Sequence, residues 1–185
     1  MSLQLITPPA AEPVVLADAK AHLKVDTTDD DALIASLITA ARIRAEWFTR
    51  RAFITQSWIA WRDTWPVQPF EIPLPPLQSL TSITAYDRND AATILDPSLY
   101  RVDAAAIPAR IAWKETTVPP TNLRTFNALA IAFTAGYGPA ATDVPEPIRR
   151  AILTIVADLY THRGDDAPTP QAALALLEPF RLISV

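Results

Sequence analysis

Eighteen prolines against three glycines, in a chain of 185 residues, leave the backbone few places to turn freely. Proline locks φ near −65° and removes an amide donor, while glycine is the residue that adopts positive φ at little cost. With only Gly136, Gly138 and Gly164 available, positive-φ backbone is expected to be rare and most loops stiff and extended. The prolines are densest from Pro66 to Pro76, where five of them surround Phe70-Glu71-Ile72. Such a stretch suits an edge strand and unpaired extended chain, and a central strand cannot run through it.

On either side of this rigid middle the apolar residues keep helical spacing. Residues 1–15 read as an extended lead-in, and Leu16, Ala19 and Leu23 then mark one face of a short helix over 16–24. A longer helix over 29–49 has a core stripe of Leu33, Ile34, Leu37, Ile38, Ala41, Ala45 and Phe48. Thr28 and the acids Asp29, Asp30 and Asp31 offer it a capping box and charge suited to the positive end of its dipole. Toward the C-terminus Pro145 and Pro147 open a second long helix, with Ile148, Ala151, Ile152, Ile155 and Leu159 inward and Gly164 as its stop. A loop over 165–169 leads to a last short helix between Pro170 and Pro179, carrying Leu174, Leu176 and Leu177.

Between the helices the period changes to two. Residues 53–62, 80–86, 93–95, 100–102, 110–113 and 128–135 are strand candidates, separated by turn-rich pieces such as Asp87-Arg88-Asn89-Asp90. The last is the clearest, with Leu129, Ile131 and Phe133 alternating with Ala130, Ala132 and Thr134. The expected fold is α+β: a helical bundle core of two long helices plus short N- and C-terminal helices, with a β-rich, proline-rich insertion between them. One domain over 1–185 is expected, comprising N-terminal helices (1–50), the β-rich insertion (51–140), C-terminal helices (145–178) and a tail (179–185). A chain of this length buries roughly 70% of its unfolded surface and needs no covalent staple.

Composition narrows the chemistry. No cysteine is present, so disulfides and thiolate metal sites are excluded, and only His22 and His162 could supply imidazole. Neither has a second imidazole at metal-binding spacing, and both read as surface residues near helix ends. Asp29, Asp30 and Asp31 lack the alternation and turn glycine of a calcium loop. Gly136-Tyr137-Gly138 matches no phosphate-binding pattern, and no nucleophile elbow occurs. An enzyme is not expected, and no cofactor or metal is implied. No apolar run reaches the ~18 residues that span a bilayer, and no basic-then-apolar leader opens the chain, so no membrane association is expected.

The formal charge of −4 disfavours a surface built for phosphate contacts. Arg42, Arg44, Arg50, Arg51, Arg149 and Arg150 are nevertheless grouped on the long helices, as candidates for inter-subunit ion pairs or for transient contact with DNA in a channel. A small DNA-binding or packaging accessory protein using these arginines is the alternative function. The apolar end, Phe180, Leu182, Ile183 and Val185, either packs on its own domain or docks on a partner. The five tryptophans, Trp47, Trp58, Trp61, Trp65 and Trp113, are expected in the core.

A wider likeness is carried by Ile6-Thr7-Pro8-Pro9, Glu12-Pro13-Val14, the segment from Leu16-Ala17-Asp18-Ala19-Lys20 to Val25-Asp26, Asp29-Asp30-Asp31-Ala32-Leu33-Ile34 and Ala40-Ala41-Arg42. It continues through Ile72-Pro73-Leu74-Pro75, Tyr100-Arg101-Val102, Phe133-Thr134-Ala135-Gly136-Tyr137-Gly138, Val144-Pro145-Glu146-Pro147-Ile148 and Leu176-Leu177 to Arg181. In this order and spacing the chain resembles the head-tail connector (adaptor, head completion) family of long-tailed phages and gene transfer agents. Two departures stand out. Similar proteins tend to have glycine where Arg50 ends the long helix, so a differently built helix end is expected. They also often have glycine in the hairpin at Asp87-Arg88-Asn89-Asp90, where Asn89 would have to take the positive φ.

The resemblance implies a non-enzymatic, homo-oligomeric ring, commonly of twelve subunits. It would sit between a portal protein and a stopper or tail-completion protein, with a lumen for DNA passage. Such a protein would be cytoplasmic during assembly and then reside in the particle neck. Carried over residue by residue, the portal-docking element would be Leu177, Pro179, Phe180, Arg181, Leu182 and Ile183.

Overall fold

The computed structural model describes residues 1–162 and 168–183, and the chain is α+β. It divides into two compact units, one joining Met1–Pro8 to Thr55–Gly136 and the other joining Pro9–Ile54 to Tyr137–Val185.

The first unit holds two antiparallel sheets. Five strands run in the order β1 (Ser2–Thr7), β2 (Gln56–Arg62), β8 (Leu129–Ala135), β4 (Leu77–Tyr86) and β5 (Ala92–Ile94). Three more, β3 (Phe70–Glu71), β7 (Arg110–Trp113) and β6 (Tyr100–Asp103), form the smaller sheet. The central β8 is the segment with the clearest period-2 pattern: Leu129, Ile131 and Phe133 are buried while Ala132 and Thr134 are partly exposed. β3 is a two-residue edge strand within the proline cluster, as a missing amide donor requires. Trp65 and Trp113 meet edge to face at 4.8 Å between ring centroids, and Tyr100 meets Trp113 in the same way at 6.2 Å.

The lead-in is not simply extended chain. Residues 2–7 form β1 and pair with β2 from Ser2 against Trp61 to Thr7 against Ser57, with a bulge after Leu5. The backbone donors and acceptors that β2 leaves on its outer side account for this, since an unpaired edge is satisfied by the nearest extended chain.

In the second unit α1 (Leu16–Leu23), α2 (Asp31–Thr49), α3 (Glu146–Thr161) and α4 (Gln171–Leu177) surround one apolar core. Ile34, Ile38, Ala41 and Ala45 from α2 meet Ile148, Ala151, Ile152, Ile155 and Val156 from α3, with Ala173 and Leu177 from α4 and Ala19 from α1. Each large aliphatic side chain fully buried here contributes roughly 1.5–3 kcal/mol. Pro147 lies within the first two positions of α3, where its missing amide costs nothing. The expected stop at Gly164 and the first part of the loop after it, residues 163–167, lie outside the described residues.

Three local expectations are corrected. The acids opening α2 do not cap it: the Asp30 side chain makes no capping bond, and its Oδ2 accepts from the Tyr160 hydroxyl at 2.5 Å. Asp31 accepts from Lys20 Nζ at 2.5 Å. These carboxylates tie α2 to α3 and α1, because partners brought close by packing compete with the local amides.

Positive φ falls mostly on residues other than glycine: Lys24, Arg50, Leu74, Asp90 and Asn127 adopt it, and so does Gly136. Arg50 ends α2 in the left-handed conformation (φ 57°, ψ 37°), so the turn expected of a glycine is made without one. In the β4–β5 hairpin the positive φ falls on Asp90 and not Asn89, because Asp87 Oδ1 accepts from the amides of both Asn89 and Ala91 and sets the turn one residue later.

Finally, no tryptophan is fully buried: Trp47 is 83% exposed and the other four are half-buried.

Candidate interaction sites

The C-terminal segment is mostly bound to its own unit. Leu177 is fully buried in the helical core, and Phe180 packs on the same cluster. Arg51 Nε donates to the Phe180 carbonyl at 2.5 Å, and the Leu182 amide donates to the Thr49 carbonyl at 3.1 Å. The Arg181 guanidinium lies 5.1 Å from the centroid of the Phe48 ring and 3.6 Å from Glu178. Pro179 is exposed, and Ile183, 79% exposed, projects farthest. Of the two readings of this segment, self-packing holds through Leu182, and the surface left to a partner is Pro179, Arg181 and Ile183. Ser184 and Val185 lie outside the described residues.

The six arginines separate into internal and outward groups. Arg42 is buried, with Nε donating to Glu12 Oε2 and Nη1 to Glu46 Oε2, both at 2.7 Å. Burial opposes its charge, but the bond to Glu12 and the pull of Glu46 and Glu12 together outweigh this and raise its pKa above the ordinary arginine value. Arg51 is also buried, serving the Phe180 carbonyl and the Tyr137 hydroxyl. Burial raises the Tyr137 pKa, and Arg51 partly offsets it. Arg149 pairs with Glu146 one turn away. Arg44 is partly exposed, and Arg50 and Arg150 are exposed. Arg44, Arg50, Arg149 and Arg150 thus form the outward set, wholly or partly exposed on the surface.

His22 and His162 are exposed, and His162 Nδ1 lies 3.1 Å from Asp158 Oδ1 on its own helix. Among the described residues no group of three or more His, Asp or Glu could hold a metal ion, and no helix is long and apolar enough to cross a membrane.

Two surfaces escaped the sequence reading. Every residue of β1 is exposed, including Leu3, Leu5 and Ile6. On α2, Ile43 and Trp47 stand outside the core stripe at 53% and 83% exposure. Their spacing of four residues, off the buried face, was the available signal.

Residues 13–94 match the model of the phage gp6-like head-tail connector protein family. A comparison with curated proteins finds no match. Among solved structures, the chain is similar over its whole length to a protein in the neck of an empty gene transfer agent particle computed with C6 symmetry. That pair shares 24% identity, 97% of the other chain is covered, and the TM-score is 0.85. A chain from the virion of a native gene transfer agent particle matches at 23% identity and TM-score 0.83, again over 100% of this chain and 97% of the other. One from the neck of a native particle computed with C12 symmetry matches at 25% identity and TM-score 0.82, with the same coverage. Residues 13–94 thus resemble the phage gp6-like head-tail connector proteins, and the full length has the fold of chains found in gene transfer agent particles.

Proposed function

We propose that this chain is a structural head-tail connector that forms a homo-oligomeric ring in the neck of a phage or gene transfer agent particle. The observation that carries this reading is the full-length fold similarity, TM-score 0.85, to a protein of such a neck, joined to the family match over residues 13–94. The C6 and C12 symmetries under which the similar necks were computed are those of rings, and a head-to-tail contact that closes produces such rings. The work of such a protein is geometric and calls for no catalysis. It is made in the cytoplasm and ends in the particle neck.

In this reading one face of the ring docks on a portal through Leu177, Pro179, Phe180, Arg181, Leu182 and Ile183, and the other receives a stopper or tail-completion protein. Leu177 and Phe180 would anchor the segment from within while Pro179, Arg181 and Ile183 make the contact. Many weak copies acting together give the attachment its strength. DNA passes through the lumen with transient contacts to arginines of the outward set.

The test is co-expression with the portal protein of the same particle, followed by imaging of the purified complex. A ring of this chain seated on the portal is expected, and a chain that stays apart from portal and particles would refute the assignment.

A further inference from the structure

The end of α2 is shaped to receive the chain's own last residues. Arg50 turns the backbone left-handed, and the Arg51 amide then donates back to the Glu46 carbonyl at 3.2 Å, the closing bond of a Schellman turn. The last carbonyls of a helix have no partner within it. That of Thr49 accepts from the Leu182 amide at 3.1 Å, and the buried Arg51 side chain donates from Nε to the Phe180 carbonyl at 2.5 Å.

Both bonds grip backbone atoms of the terminal segment, so they fix its path whatever its side chains are. Beyond Phe180 the chain is extended, with Arg181 at φ −69° and ψ 128°. Phe180 and Leu182 are half-buried while Arg181 and Ile183 are exposed, the alternation of extended chain with one face covered. A chain end is disordered unless tied down, and a segment that becomes ordered only on binding loses affinity by the entropy it gives up.

We infer that Arg51 is a positioning residue for docking: with the Thr49 carbonyl it holds residues 180–183 in the extended path that presents Arg181 and Ile183 to the portal before contact. The inference rests on the docking reading above. Arg51 acts from beneath, since it is buried and its guanidinium is steadied from another side by the Tyr137 hydroxyl.

The test uses the full-length chain and three variants. Arg51→Met keeps the bulk and removes the donor. Leu182→Pro removes the second bond at the chain end, outside the helical core. Ile34→Val, a buried substitution in the first turn of α2 and about four turns from Thr49, serves as a stability control. Thermal melts read folding, amide hydrogen exchange reads the tie at Leu182, and surface plasmon resonance reads affinity for the portal. Arg51→Met is expected to speed exchange of the Leu182 amide roughly 10-fold and to raise the portal Kd roughly 10-fold, with Ile34→Val changing neither. Leu182→Pro should weaken portal binding to a similar degree. Unchanged exchange at Leu182 in the folded Arg51→Met variant overturns the inference, as does unchanged or tighter portal binding once the segment is released. If Arg51→Met does not fold, wild-type affinity in Leu182→Pro overturns it alone. Equal weakening by Ile34→Val makes the effect one of stability and overturns it too. A wild-type chain that does not bind the portal, or a folded Arg181→Ala/Ile183→Asp variant that binds as wild type does, overturns the docking reading itself and this inference with it.

Discussion

Arg42 and Glu12, thirty residues apart in sequence, are joined by a 2.7 Å bond from Nε to Oε2. Glu46 takes the Nη1 of the same guanidinium, and its other oxygen accepts from the Phe53 amide at 2.8 Å. The lead-in, the long helix and the start of the following segment are thus held by one buried charge. Removing one partner strands the others. Arg42→Ala should cost about 3 kcal/mol or more, lowering the melting temperature by roughly 6–12 °C, as scanning calorimetry would show.

The proposed docking segment contains both core and surface, and substitution separates them. Leu177→Ala should destabilise by about 2–5 kcal/mol, because its side chain is fully buried. Ile183→Asp should leave the urea midpoint nearly unchanged, within about 0.5 kcal/mol, while reducing portal binding. Equal portal binding by the folded Ile183→Asp variant and wild type would remove Ile183 from the contact.

Arg50 pays for a left-handed backbone that glycine adopts freely. Arg50→Gly is therefore expected to stabilise the second unit by about 1 kcal/mol, measured as a rise in the urea midpoint at constant slope. A fall would mean that the interactions of the Arg50 side chain outweigh the backbone strain.

In the smaller sheet, Asp103 accepts from Arg110 at 2.6 Å, a bond that lowers its carboxyl pKa, and backbone amides add to the effect. Asp96 is lowered in turn by the Ser98 amide, 2.7 Å away. A carboxylate depressed in the folded state holds fewer protons there than in the unfolded chain once pH falls below the ordinary value of 3.8. Its stabilisation is present above that value and is lost as pH falls through the folded pKa. Denaturation of wild type between pH 5 and 2 should therefore show a steeper loss than that of Asp103→Asn, and parallel curves would remove this carboxylate as a cause.

Legibility in the sequence followed the range of the forces involved. The alternation of Leu129, Ile131 and Phe133 announced the central strand, because a strand buried on one face repeats every two residues whatever its neighbours are. The stripe of Ile148, Ala151, Ile152 and Ile155 announced α3 by the same local logic at helical period. The proline cluster limited β3 to an edge, since a missing amide cannot be supplied from elsewhere. The surface at Pro179 and Ile183 was within reach of the same reading, as apolar residues beyond any full helical pattern.

Tertiary structure decided what depends on partners distant in sequence. Residues 2–7 became β1 only because β2 presents an open edge, and Asp30 turned from its expected cap to Tyr160, which lies 130 residues away. Arg42 and Arg51 read as surface cations until packing enclosed them with Glu12, Glu46 and the Phe180 carbonyl. Trp47, expected in the core as a large aromatic, stands in solvent because the core face of α2 is already filled by Ile34, Ile38, Ala41 and Ala45. Period and composition fix which face a segment buries. What each charged or aromatic side chain then meets is set by the neighbours that the closed chain brings to it.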